Sequence, residues 1–151
     1  MNARPNSSPL VILGWHEQIS IPQLGIESAF AKMDTGADGS SLHARDIIVI
    51  DKLDLVEFSA PTLRRQSSCK SWPGGGVRRV RAPLVAQRMV RSSNGEEEPR
   101  PVIRSRVRLG NLEFDVDFSL TSREGMRFPV LIGRNALAGR FLVNANSAHL
   151  L

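Results

Sequence analysis

The sequence predicts an all-β, barrel-like domain with one short helix. Three observations favour this class. The apolar and β-branched runs are short, turn-forming residues interrupt them often, and Asn135–Ala138, ended by Gly139, is the one good helical segment. A chain of 151 residues also fits a single domain. We therefore expect one domain over residues 10–151 and a disordered N-terminus over residues 1–9.

The predicted strands follow one another along the chain and end at turn-forming residues. The most regular is Leu112–Leu120, in which apolar and polar residues alternate with the period of a half-buried strand. Residues 59–79 contain two prolines and three consecutive glycines, which predicts a loop or a mobile hairpin. The Asn94-Gly95 pair predicts a tight reversal. The other predicted strands are Val11–Leu13, Ile19–Ile21, Ala29–Met33, Leu42–Ile50 with its β-branched part Asp46–Ile50, Leu55–Phe58, Leu84–Val90, Val102–Leu109, Pro129–Ile132 and Phe141–Val143.

The composition excludes several classes of protein. Apolar residues make up 41% of the chain, which argues against wholesale disorder. The longest apolar stretch, Pro9–Trp15, is far shorter than a membrane span, and the first residues lack the pattern of a secretory signal. We therefore expect a cytoplasmic protein that does not enter a membrane. Cys69 is the only cysteine, so an internal disulfide and a cysteine-rich zinc module are both excluded.

The basic charge is almost entirely arginine. The net charge is +5, and most arginines lie between Arg64 and Arg108. Arginine binds planar carboxylates and phosphates through two parallel hydrogen bonds. A solvated surface, a groove for acidic peptides and a face for nucleic acid are all compatible with this pattern. Nucleic acid is the least favoured partner, because Phe114 and Phe118 alternate like core residues and no aromatic stacking platform is evident.

The segment Ala31–Asp38 carries the chemistry. An apolar strand leads to Asp34, and Thr35 and Gly36 turn the chain immediately afterwards. A carboxylate fixed at a strand end can act as a general acid or base, and the glycine allows close approach of another backbone. The tripeptide alone would usually be an ordinary strand-ending turn. A second segment, Val130–Leu137, places apolar residues and a glycine before Arg-Asn and the short helix.

This pairing of motifs resembles the retropepsin-like aspartic peptidases. At finer grain the chain resembles the bacterial branch labelled as ATP-dependent zinc proteases, which is linked with ribosomal-protein glutamate ligases. Asp38 departs from that branch and is similar to the viral enzymes. The matching stretches are Gly14-Trp15, Leu24–Ile26, Lys32–Ala37, Ser41–Ala44, Arg91–Gly95, Val102–Arg104, Leu109-Gly110, Leu120-Thr121, Met126–Phe128, Leu131–Arg134 and Gly139–Val143.

The resemblance implies a retropepsin-like barrel and a mechanism with two carboxylates. Such a pair shares one proton around a water molecule, and this chain has a single Asp-Thr-Gly. It therefore implies a homodimer with Asp34 of each copy at the two-fold axis, where Thr35 braces the two loops and Gly36 presents backbone to the substrate. Ala37 offers no hydroxyl to the ionised carboxylate, so we expect activity to extend toward neutral pH.

The resemblance also assigns supporting residues. Gly133 and Arg134 would support the site, with Arg134 in a partly buried pair with Asp38 at the dimer junction. The flap that covers the cleft would be either the Gly74–Gly76 segment or the Val85–Val102 hairpin. A glutamate-tailed protein is the implied substrate, with a glutamate ligase as pathway partner. The predicted substrate-binding residues are Ala37, Asp38, Arg88, Arg91 and Arg104, with Arg100 on the same hairpin.

No cofactor or metal is expected. His16, His43 and His149 stand without ligand spacing, and no phosphate-binding glycine loop occurs. Two other functions remain open. The chain could be a catalytically silent basic module that binds RNA or a ribosomal or protein partner, or a monomeric relative in which Asp34 never meets a second carboxylate.

Overall fold

The computed structural model describes residues 9–61, 77–91 and 94–151. Within those ranges it has eleven strands, one short α-helix and 3₁₀ turns at Pro22–Leu24 and Asp51–Leu53. No helix in these ranges is long and apolar enough to cross a membrane. The elements are β1 (Val11–Gly14), β2 (His16–Ile21), β3 (Ile26–Asp34), β4 (Ser40–His43), β5 (Arg45–Ile50), β6 (Leu55–Pro61), β7 (Val77–Arg91), β8 (Glu97–Leu109), β9 (Leu112–Thr121), β10 (Val130–Gly133), α1 (Arg134–Leu137) and β11 (Phe141–Asn144).

Six strands close into a barrel. They pair in the order β2-β3-β10-β4-β9-β8, and β8 returns to β2 through the Ser20–Arg108 pair. β7, β6 and β5 continue from β8 as an antiparallel extension, whereas β1 and β11 form a separate parallel pair. The fold is mostly β with a closed barrel and one short helix, which confirms the predicted class.

Alternation along β8 and β9 builds one side of the core. Ile103, Val107 and Leu109 of β8 are buried, while the arginines between them are exposed. Phe114 and Phe118 of β9 are buried by the same alternation, as the sequence predicts. Each such side chain contributes roughly 1.5–3 kcal/mol when it is fully buried, so this strand pair is a large part of the stability.

The structure departs from the predicted elements in two places. Leu42–Ile50 is two strands rather than one, because β4 pairs inside the barrel with β9 and β10 whereas β5 pairs with β6. Residues 59–61 and 77–79 belong to paired strands, since the β6–β7 ladder continues to the Pro61–Val77 pair. The predicted loop is therefore shorter at both ends. The Gly74–Gly76 segment, Cys69 and residues 1–8 of the predicted disordered N-terminus lie outside the described residues.

Candidate active site

Asp34 is the last residue of β3 and lies at one end of the barrel. β3 and β10 run parallel, and Asp34 is in register with Gly133. The Asp34 side chain is half-buried, and its Oδ1 accepts a hydrogen bond from the backbone N–H of Gly36 at 2.9 Å. Thr35 and Gly36 are exposed at the turn that follows. The turn therefore fixes the carboxylate and leaves it accessible.

Gly133 crosses the Asp34 loop at very close range. A Cβ atom at Gly133 would lie 2.2 Å from the carbonyl oxygen of Gly39 and 3.0 Å from that of Ala37. The N–H of Gly133 donates to Oγ of Ser40 at 3.0 Å, and the N–H of Arg134 donates to the carbonyl of Ala37 at 2.7 Å. Glycine is required here because two backbone segments touch. The crossing joins the two sequence motifs into one unit.

The side chain of Arg134 ties the ends of the loop together. Its Nη1 donates to the carbonyl oxygen of Thr35 at 2.9 Å, and its Nη2 donates to Oδ1 of Asp38. The predicted partners thus meet within one chain. Within the single chain the Arg134 and Asp38 side chains are 52% and 80% exposed, and their burial at a dimer junction stays a prediction. In a single chain such a pair contributes about 0–1 kcal/mol.

The predicted substrate-binding arginines have different surroundings. Arg104 is held by Asp117, with its Nε and Nη2 donating to the two carboxylate oxygens at 2.7 and 3.1 Å. Asp117 accordingly raises the pKa of Arg104. Arg91 lies 3.8 Å from a carboxylate oxygen of Glu97 near the end of the β7–β8 hairpin.

Among the predicted substrate-binding arginines, Arg88 approaches the loop that follows Asp34. Its Nη1 lies 2.6 Å from the position that a Cβ of Gly39 would occupy. Arg88 and Arg104 border a cavity of about 190 Å³ whose lining also includes the carboxylates of Asp115 and Asp117. The β7–β8 hairpin therefore comes close to the carboxylate end of the barrel through Arg88.

The histidines do not assemble a metal site. Among the described residues, no group of three or more histidine, cysteine or acidic side chains could hold an ion. His16 and His149 stack edge to face with ring centroids 4.6 Å apart, beside Trp15. His43 is buried, and its Nδ1 accepts a hydrogen bond from the backbone N–H of Arg123 at 2.7 Å. Burial, followed by the charge of Arg45, lowers the pKa of His43 from 6.5 to about 4.

Glu17 is an important residue that was not among those predicted from the sequence. It is fully buried, and its carboxylate accepts backbone N–H bonds from Leu150 and Leu151 at 2.9 Å and from Gly14 at 3.3 Å. A signal was available, because Glu17 shares the inward face of β2 with Ile19 and Ile21. An acidic residue on an apolar face predicts a buried carboxylate with dedicated donors.

Comparisons with known proteins agree with this geometry. A family model described as RimB-like, retropepsin-like aspartic endopeptidase RimB, matches residues 12–150. A probable alpha-L-glutamate ligase of Parasynechococcus marenigrum is 35% identical over 143 residues, which is 93% of this chain and 29% of that protein. A protein of the same name from Desulfotalea psychrophila is 33% identical over 135 residues, 88% of this chain and 28% of that protein. The chain thus spans less than a third of the length of these relatives.

A solved structure shows the same fold. It is the crystal structure of a Legionella pneumophila protein of unknown function, with a TM-score of 0.71 and 24% identity over 93% of this chain and 97% of that chain. The family match covers both crossing segments, Asp34 with its turn and Gly133 with Arg134. The chain belongs to the RimB-like family of retropepsin-like aspartic endopeptidases.

Proposed function

We propose that this chain hydrolyses peptide bonds as a homodimeric aspartic endopeptidase. The observation that carries the proposal is Asp34, whose carboxylate is oriented by the Gly36 N–H at an accessible end of the barrel. The sequence has a single Asp-Thr-Gly, so the second carboxylate must come from another copy. A two-fold axis beside Asp34 would place two identical loops face to face.

The chemistry follows from two adjacent carboxylates that share one proton. The ionised Asp34 removes a proton from a water molecule, and the water oxygen attacks the carbonyl carbon of the substrate. The protonated Asp34 of the other copy donates its proton to the carbonyl oxygen, which gives a neutral tetrahedral diol. Return of a proton to the amide nitrogen then breaks the C–N bond and releases an amine and a carboxylic acid.

The surrounding residues would support this chemistry. Gly36 presents backbone to the substrate, and Thr35 braces the two loops across the axis. Arg134 stabilises the loop through the Thr35 carbonyl and Asp38, both of which are exposed where a second chain would pack. The β7–β8 hairpin is the proposed flap, because Arg88 already extends from it to Gly39.

Acidic protein tails are the proposed substrate, and the cytoplasm is the proposed compartment. Arg88 supplies a positive charge beside the Asp34 loop. The relatives named probable alpha-L-glutamate ligase contain a region similar to this chain within a much longer protein. A glutamate ligase would make glutamate-extended tails, and this chain would cleave them, so we propose such a ligase as a pathway partner.

The test is cleavage of a peptide with an oligoglutamate tail, followed by mass spectrometry at several pH values. We expect new peptide fragments with the wild type and a loss of at least about a thousandfold in rate with Asp34→Asn. Circular dichroism and urea unfolding would verify that the variant is folded. Equal cleavage by both proteins, or intact peptide with both, would contradict the proposal. Peptide binding without cleavage by either would favour a silent binding module.

A further inference from the structure

Residues 147–151, which we call the strap, lie against the start of β2. The strap's first carbonyl oxygen accepts the N–H of Trp15 at 2.8 Å, and the N–H of His149 donates to the carbonyl oxygen of His16 at 3.1 Å. The last two N–H groups of the strap bind the buried carboxylate of Glu17, each at 2.9 Å. Backbone hydrogen bonds therefore hold the strap along its length.

Two histidine rings meet where the strap crosses β2. The rings of His16 and His149 pack edge to face with centroids 4.6 Å apart. The Nδ1 atom of His16 is buried and has no hydrogen-bond partner among the described residues. A protonated ring carries an N–H at both nitrogens, so the buried Nδ1–H would have no acceptor. His149 also has a φ of 53°, a left-handed conformation that costs free energy in a residue other than glycine.

The charged groups around His16 are mostly basic. Lys32 of β3 is in register with His16, and His149 faces it from the strap. Burial, followed by the charges of His149 and Arg127, lowers the pKa of His16, whereas the carboxylate of Glu17 opposes that shift. A histidine whose pKa is lowered in the docked form binds a proton more strongly when the strap has left. Docking of the strap therefore weakens as the pH falls below about 6.5, the ordinary histidine pKa.

The strap is connected to Asp34 through the backbone. Trp15, whose N–H binds the strap, accepts the N–H of Met33 at 2.8 Å with its own carbonyl oxygen. Met33 is the residue before Asp34 on β3. The docked strap therefore supports the junction of β1 and β2 that in turn holds the Asp34 end of β3.

We propose that the strap is a pH-sensitive device, which docks on β2 while His16 is neutral and leaves β2 when His16 is protonated. Its release removes two of the N–H donors of Glu17 and loosens the Asp34 end of β3. Docking is a property of the single chain, so the inference does not depend on peptide cleavage.

Amide hydrogen exchange followed by NMR tests the device at pH 7 and pH 5, with rates corrected for the intrinsic pH dependence of exchange. We expect the protection of the Leu150 and Leu151 amides to fall by at least about threefold at pH 5, because protonation favours the released strap. The Met33 amide should lose protection in the same direction. Amides of the β8–β9 ladder should stay protected, since the release is local.

Two variants locate the titrating group. His16→Phe keeps a ring against His149 but takes up no proton, so its strap protection should be the same at both pH values. His16→Gln is a second variant with the same expectation. His149→Phe is the matched control, because it keeps a ring on the strap and leaves His16 free to titrate, so the pH dependence should remain.

The proposal is overturned if the wild type and His16→Phe lose strap protection equally, or if His149→Phe alone removes the pH dependence. It is also overturned if the β8–β9 amides lose protection together with the strap, because that result would mean global unfolding. Met33 protection that stays constant while the strap is released would contradict the connection to Asp34.

Discussion

Glu17 and Asp34 lie on neighbouring strands of the barrel. Backbone N–H groups bind both carboxylates, but the two differ in burial and in the number of donors. Glu17 is fully buried and receives three backbone N–H donors from two separate segments. Asp34 is half-buried and receives the Gly36 N–H from its own turn. A buried carboxylate whose two oxygens both accept backbone N–H bonds is a structural element, whereas an accessible carboxylate at a strand end can exchange protons.

The largest expected effect separates these two roles. Glu17→Ala should lower the free energy of unfolding by about 3–5 kcal/mol, because one buried and two part-buried backbone N–H groups lose their acceptor. Urea unfolding measures this loss, with Glu113→Ala as an exposed control. Asp34→Asn should change stability by less than about 1 kcal/mol. If Glu17→Ala were as stable as the wild type, the contrast between the two carboxylates would fail.

His43 is a buried side chain whose lowered pKa makes the stability of the fold depend on pH. Its pKa is lowered from 6.5 to about 4 in the fold, so the unfolded chain takes up the proton first as the pH falls. The free energy of unfolding should therefore decrease by about 3 kcal/mol between pH 6.5 and pH 4 because of this residue. Urea unfolding across this range measures the decrease. His43→Asn should show a shallower pH dependence than the wild type, and identical slopes would contradict the assignment.

The close approach of Gly133 to the Gly39 backbone predicts a smaller loss of stability, and Gly39→Ala is its matched control. Gly133→Ala would place a methyl group 2.2 Å from the Gly39 carbonyl oxygen, which forces the two backbones apart. We expect a loss of about 1–3 kcal/mol in unfolding free energy together with reduced cleavage. Gly39→Ala is the matched variant, because its Cβ would meet the flexible end of Arg88. Equal destabilisation by both variants would show that the crossing is not the tight contact.

The smallest predicted effect concerns the environment of Asp34 itself. A serine at position 37 would add a hydroxyl donor beside the ionised carboxylate, as expected from the family resemblance. Ala37→Ser should move the pH–rate profile of peptide cleavage toward lower pH. Rates across a pH series with wild type and variant measure the shift. A profile that stays in place or moves to higher pH would contradict this prediction.

The sequence predicted local features better than contacts between distant segments. The Leu112–Leu120 strand and the helix near Asn135 follow from alternation and glycine position, so they agree with β9 and α1 to within one residue at each end. The pairing of Arg104 with Asp117 depends on the β8–β9 register, which no single-strand pattern specifies. The sequence alone does not give that register, so it does not distinguish arginines paired within the fold from arginines available to an acidic peptide.

The candidate site shows the same division. Asp34 and Gly133 could be singled out from their motifs, although their close crossing results from parallel β3–β10 pairing of residues a hundred positions apart. The position of Glu17 on the apolar face of β2 can indicate burial, but its donors Leu150 and Leu151 lie more than 130 positions away and no local pattern specifies them. The exposure of the Arg134–Asp38 pair depends on which surface packs against it, and the sequence of one chain does not specify that surface.

In the proposed dimer, two copies of Asp34 form one catalytic centre. The most direct measurement is the cleavage rate of wild-type chains co-refolded with an equal amount of Asp34→Asn chains, at constant total protein. Random pairing leaves about a quarter of the dimers with two intact carboxylates, so we expect about a quarter of the wild-type rate. A rate of about half would mean that each chain works alone, and it would contradict the shared centre.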